Sequence, residues 1–430
     1  MPRKLTIALA LAAFACGSNP ALETALHGDL ASLKRQIRAE RADGDLDRDA
    51  VEELAAAVAG REIRSARGEL AEVRVSRVRG CAAPLLPVLR VRARRADDAG
   101  ARAAVLLYES GELDARTLID RHARAASGAW RAVAARASST RTHADLRRAF
   151  FVDPDERARR AALEAAQEAA DPKDVPGLLE AARLDPDPEA RSLAIHAAGA
   201  SGGPRVLVAF DDMWPRANPE IRSAIIHAWA MPKTFRAGGR ERLVSTAESA
   251  SGGDAVAAAA ILTRMPGADA ALGATVLARA VREGTDAERR LAIERAPFWD
   301  SDVRKAVHAA AKDPDLSIRV AALARLTENS ASRSAARAQL RHLSKSSNSV
   351  ALRARVALAN AGDEKVGPEL IPLLDRPNPD ERRIAALSLL KLGDYAHAAS
   401  ALADDDPEVR ADVACSVLSP KSSPKRKPRS

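Results

Sequence analysis

Apolar residues along most of the chain come in short runs rich in Ala, Leu and Ile, and run after run is opened by the same polar signature. At Asp187-Pro188-Glu189-Ala190-Arg191, an Asp at the N-cap can accept from the free amides of a first helical turn. Pro at N1 gives up no hydrogen bond there, and Glu lies favourably at the positive end of the helix dipole. The signature is therefore a helix start. Variants stand at Asp153-Pro154-Asp155-Glu156-Arg157, Asn218-Pro219-Glu220-Ile221-Arg222, Asn378-Pro379-Asp380-Glu381-Arg382 and Asp406-Pro407-Glu408-Val409-Arg410, with looser copies ending at Arg290, Arg319 and Arg353. A decayed copy at Asp254-Ala255-Val256-Ala257-Ala258 fills the one double-length gap.

These starts define nine units of about 32 residues, a period that marks stacked repeats. Each unit has room for the capped helix, for instance Glu189 to Ala198, then a Gly or Pro loop and a second helix. An antiparallel helix pair of this kind leaves an apolar stripe on each side until a neighbour covers it, so stacking is obligatory. The expected fold class is all-α, a right-handed α-solenoid of stacked antiparallel helix pairs, with the repeats over 151–418.

The starts followed by Ala-Ala-Leu, as at Arg319-Val320-Ala321-Ala322-Leu323 and Arg383-Ile384-Ala385-Ala386-Leu387, resemble HEAT repeats of the short kind found in phycobilisome bilin lyases. The resemblance covers 152–418 and is specific for fold, not for function. It implies a ladder of Asp and Arg pairs along the stack. In that ladder Asp153, Asp187, Asn218, Asn378 and Asp406 cap, while Arg157, Arg191, Arg222, Arg319, Arg382 and Arg410 bridge.

Residues 17–150 read as a divergent helical region in which Gly28-Asp29-Leu30, Gly68-Glu69-Leu70 and Gly111-Glu112-Leu113 recur, a possible trace of degenerate repeats. Residues 1–16 combine Arg3 and Lys4, an apolar run from Leu5 to Phe14, and Ala13-Phe14-Ala15-Cys16. That is the layout of a cleavable export signal, too short to span a bilayer. Its end resembles the bacterial lipobox, although Ala13 stands where that motif prefers Leu. The resemblance implies acylation at Cys16 and a periplasmic or outer-membrane lipoprotein of the bacterial envelope. A cytoplasmic chain with a plain N-terminal helix is the alternative.

Charge changes the picture less than its total suggests. Of the net +9, Arg3 and Lys4 supply +2, and five Lys and Arg within the tail 419–430 supply +5. The body keeps a mixed surface, so no nucleic acid is expected as partner and a nucleic-acid-binding solenoid is the lesser alternative. Aromatics at 3% favour close-packed helices over sheets.

Chemistry is sparse. Cys16, Cys81 and Cys415 form no C-x-x-C and have no His at ligand spacing, and an elongated array would hold Cys81 and Cys415 at opposite ends. Cys81 and Cys415 are each expected as a small buried apolar residue. His196 and His227 occupy equivalent repeat positions, but neighbouring helices lie roughly 8–10 Å apart, too far for a shared metal unless the side chains lean together. No nucleophile motif is present. No catalytic residue, cofactor or metal is therefore assigned.

Trp214 and Trp299, in loop-like contexts near Pro215 and Pro297, are the candidate anchors for a protein partner of unknown identity. The expected function is a non-enzymatic scaffold or adaptor held at a membrane by its lipid anchor. A bilin-lyase-like or chaperone-like accessory role is the alternative.

Overall fold

The computed structural model describes residues 20–68, 70–249, 252–346 and 349–419. Cys16, the export signal and the basic tail beyond Ser419 lie outside the described residues. Among those described, all regular structure is helical, and the fold is an all-α stack of helix pairs.

The chain divides into two compact units, Gly111–Ala361 and a second formed by residues 1–110 together with 362–430. The units change at 110/111 and 361/362. The helix Gly128–Ala137 packs on Glu156–Ala169, the first of the expected repeats, and the last repeats pack with the N-terminal segment.

In the unit 111–361 the first helices of successive pairs form one row: Gly128–Ala137, Glu156–Ala169, Pro188–Ser201, Pro219–Trp229, Gly253–Leu262, Asp286–Arg295, Leu316–Leu326 and Ser349–Asn360. Each packs on the next in the row, and second helices such as Val175–Leu184 and Arg333–Ser344 pack against the first helix that follows. Small side chains set the spacing. Ala190, Ala194, Ala197 and Ala198 are fully buried, and a Cβ on Gly199 would lie 2.6 Å from the Ala228 Cβ of the next helix. Ala costs little helix propensity and lets backbones approach closely, which suits stacking without large aromatics.

The other unit joins sequence-distant segments. Arg48–Ser65 lies along the last helix, Pro407–Leu418, and Leu30–Asp43 packs on the 3-10 turn Ala399–Ala403. Val51, Leu54, Val58 and Ile63 from the first segment and Val409, Val413 and Val417 from the second are buried. Cys81 and Cys415 are joined by a disulfide, with Cα atoms 5.3 Å apart across 334 residues of sequence. This overturns the expectation that they stay apart. A linear array would separate them, but here the N-terminal segment folds onto the final repeat.

Candidate partner-binding site

The repeat signature resolves into two carboxylates with different tasks. Asp187, Asn218, Asn378 and Asp406 occupy N-caps and accept from first-turn amides. In the first copy the cap is Asp155, not the expected Asp153. Asp153 stands two residues earlier, where it accepts the Asp155 N–H at 2.8 Å and both forks of Arg131 at 2.8 and 2.9 Å. The same doublet recurs as Asp185 with Asp187, Asp313 with Asp315 and Asp404 with Asp406, the first carboxylate accepting the N–H of the second each time. The Asp-x-Asp spacing is visible in the sequence, but reading the Pro as N1 at Pro154 conceals it.

The bridging arginine follows the true cap by four residues. Arg159 reaches back to the Asp153 carbonyl at 2.9 Å and forward to the Asp185 carboxylate at 2.8 and 3.0 Å. Arg382 does the same with the Arg376 carbonyl and the Asp404 carboxylate. Arg289, rather than its neighbour Arg290, pairs with Asp313. The expected bridge Arg157 pairs with Asp155 of its own turn. Its register slips by two residues with the cap.

Other copies are weaker. Arg191 and Arg319 hold only the carbonyls of Asp185 and Asp313, both at 2.8 Å, and reach no carboxylate among the described residues. Arg222 reaches Asp254 of the decayed copy at 3.3 Å. Arg410, in the final repeat, holds the Asp404 carbonyl at 2.6 Å and gives its carboxylate-seeking face to Glu62, at 2.9 and 2.6 Å. Burial is the largest single influence on the carboxyls of Asp153, Asp187 and Asp313 and would raise them, but the hydrogen bonds and charge of Arg131, Arg160 and Arg289, together with the backbone amides, outweigh it and hold all three below the ordinary Asp value.

The two tryptophan anchors part company. Trp214 is half-buried, its ring 5.0 Å from that of Trp229 and 5.5 Å from the Arg222 guanidinium. It is engaged inside the molecule, since a large ring beside a cation and a second ring gains more by stacking than by facing water. Trp299 is 56% exposed, in the loop before Ser301–Ala310.

His196 and His227 do lean together, with ring centroids 6.4 Å apart, in a cavity of about 400 Å³ shared with Gln167, Glu220 and Met231. His227 Nδ1 donates to the Ser223 carbonyl at 2.7 Å. Burial, and secondarily the neighbouring His227, push the His196 imidazole toward its neutral form. Among the described residues no three His, Cys, Asp or Glu side chains are grouped to hold a metal.

Sequence reasoning missed a second cavity, of about 490 Å³, between Val175–Leu184 and Pro204–Met213. Leu179, Leu184, Val208 and Ala209 form its apolar lining, with Glu180, Arg183, Arg205 and Asp212 around them. Leu184 is 73% exposed and Val208 60%. An isolated exposed Leu means little, but two large aliphatics on adjoining helices in one groove, rimmed by charge, is the pattern of a binding surface. Nothing in the sequence marks either position, because the second helices carry no start signature as regular as the first.

Residues 144–230, which include this groove, match the family of HEAT repeats. No curated protein matches the chain. Among solved structures it is similar to YibA of Escherichia coli, at 17% identity over 70% of this chain and 98% of that one, with a TM-score of 0.29. An engineered protein shares 16% identity over 86% and 98% of the two chains, at a TM-score of 0.27. Kap121p shares 12% over 86% of this chain and 48% of its own length, at 0.33; the match therefore spans about half of Kap121p. Residues 144–230 are HEAT-like repeats.

Proposed function

We propose that the protein is a non-enzymatic scaffold that binds a protein partner through the groove between Val175–Leu184 and Pro204–Met213, with Trp299 as a further contact. The observation that carries this reading is the paired exposure of Leu184 and Val208 above a charged rim. Stacked helix repeats offer extended surfaces whose neighbouring units are held rigidly, so a partner meets a preformed groove. Full-length protein should retain its partner from envelope fractions, and the double variant Leu184→Asp, Val208→Asp should lose at least roughly tenfold of that retention with an unchanged melting curve. Equal capture of the same proteins by both would overturn it.

The scaffold is placed in the bacterial envelope, held by acyl chains on Cys16. Two features support this: the signal-like residues 1–16, and the Cys81–Cys415 disulfide, since such bonds persist in oxidising compartments. Labelling cells with a palmitate analogue should mark the chain and shift it to the membrane fraction. An unmodified, soluble full-length chain would remove the anchor.

A further inference from the structure

The disulfide sits inside a junction that repeats the logic of the ladder. At internal rungs an arginine four residues past its cap joins the carboxylate of the following repeat, as Arg159 joins Asp185 and Arg382 joins Asp404. At Arg410 the carboxylate comes instead from the N-terminal segment. Its rung is filled by Glu62 of Arg48–Ser65, and both side chains are nearly buried, at 8% and 10% exposed. Beside it Arg77 pairs with Asp412 at 3.1 Å and Glu408 at 2.8 Å, and Arg41 donates to the Ser400 hydroxyl at 3.1 Å. The N-terminal segment thus occupies the place of the next repeat, and the Cys81–Cys415 bond crosses that seam.

The two sulfurs are not equally reachable. Cys81 is 1% exposed, whereas Cys415 is half-buried. We propose that this bond is a redox clasp, closed by exchange with the disulfide of a dithiol oxidoreductase that engages Cys415, and that it locks the N-terminal segment onto the final repeat. The exchange balances in two steps. The Cys415 thiolate attacks the oxidoreductase disulfide, forming a mixed disulfide and releasing one oxidoreductase thiolate. The Cys81 thiolate, brought alongside by the Arg410–Glu62 and Arg77–Asp412 pairs, then attacks the Cys415 sulfur and expels the second thiolate. Two protons and two electrons leave the chain, and the oxidoreductase departs as its dithiol. The second step needs the docked arrangement, which holds the Cα atoms of Cys81 and Cys415 5.3 Å apart.

The inference rests on the envelope reading only for where oxidation occurs in the cell, and isolated protein tests it separately. Hydrogen exchange of the full chain is followed by mass spectrometry in oxidised form and after reduction with a phosphine. Amides in 48–65 and 407–418 should exchange roughly tenfold faster or more on reduction, the order expected for loss of a disulfide, while those in 156–201 keep their rates. Equal rates in both forms at 48–65 and 407–418 would overturn the clasp. For the sulfur that attacks first, oxidised glutathione is the probe and modification is read peptide by peptide, so that Cys16 is counted apart. Cys415 in the reduced Cys81→Ser chain should form its mixed disulfide at least about tenfold faster than Cys81 in the Cys415→Ser chain. Equal or reversed rates would overturn the assignment to Cys415. An oxidised chain that passes both arms, but is found reduced in cells, would count against the envelope reading alone.

Discussion

At the scale of single residues, the repeat depends on one arginine that serves two loops at once. Arg159 satisfies a carbonyl of its own loop and the Asp185 carboxylate of the next, with side-chain exposures of 11% and 3% for the pair. Removing it strands a buried carboxylate, so Arg159→Ala should cost about 3 kcal/mol or more. Arg157, two residues away, has a side chain 31% exposed and pairs with a neighbour in its own turn, so Arg157→Ala should cost about 1 kcal/mol or less. Urea denaturation of both variants checks the register directly. Equal losses would mean that the ladder arginine is not the residue four past the cap.

The element scale shows how much of this was legible. Helix starts were, because a cap is local chemistry: Asp187, Asn218 and Asp406 need only their own first turn. Rungs were half legible. The doublet Asp153 and Asp155 looks like one cap with a spare acid until the preceding Arg131 is seen to need the first of them. The groove at Leu184 and Val208 was not legible, since two exposed aliphatics on separate second helices have no signature until packing leaves them uncovered. Nor was the stacking distance, which Gly199 sets: a Cβ there meets Ala228 Cβ at 2.6 Å and Cα at 2.9 Å. Gly199→Ala should therefore force the helices Pro188–Ser201 and Pro219–Trp229 apart at a cost of about 1–3 kcal/mol, despite alanine's better helix propensity. At Gly367 a Cβ meets nothing within 4 Å, and Gly367→Ala should stay within about 0.5 kcal/mol. Thermal melts of the two variants separate crowding from any general effect of replacing glycine.

At the scale of the whole molecule, sequence order and folding order diverge. The period of the starts runs unbroken through Arg353, Arg382 and Arg410, which suggests one continuous array, yet the compact units change at 361/362. Periodicity reports where helices begin and says nothing about what covers the last one. Pro407–Leu418 buries Val409, Val413 and Val417, and Arg48–Ser65 buries Val51, Leu54, Val58 and Ile63, with each helix packed along the other. Neither segment alone can hide its face, and the ordering entropy of a chain is offset only when such faces meet. The unit 111–361 contains its own successive rows of first and second helices. A fragment of residues 111–361 should therefore be helical and melt cooperatively by circular dichroism. A fragment of 17–110 should show a weak, non-cooperative signal until a peptide of 362–418 is added, when helicity rises beyond the sum of the two. The Arg410–Glu62 pair supplies the control for specificity: a 362–418 peptide carrying Arg410→Ala should rescue less, because the buried Glu62 then loses its two-pronged Arg410 contact and keeps Arg61 at 3.3 Å. Full cooperative folding of 17–110 by itself would show that the N-terminal segment has its own core and merely docks, and the division of labour between the two ends would have to be redrawn.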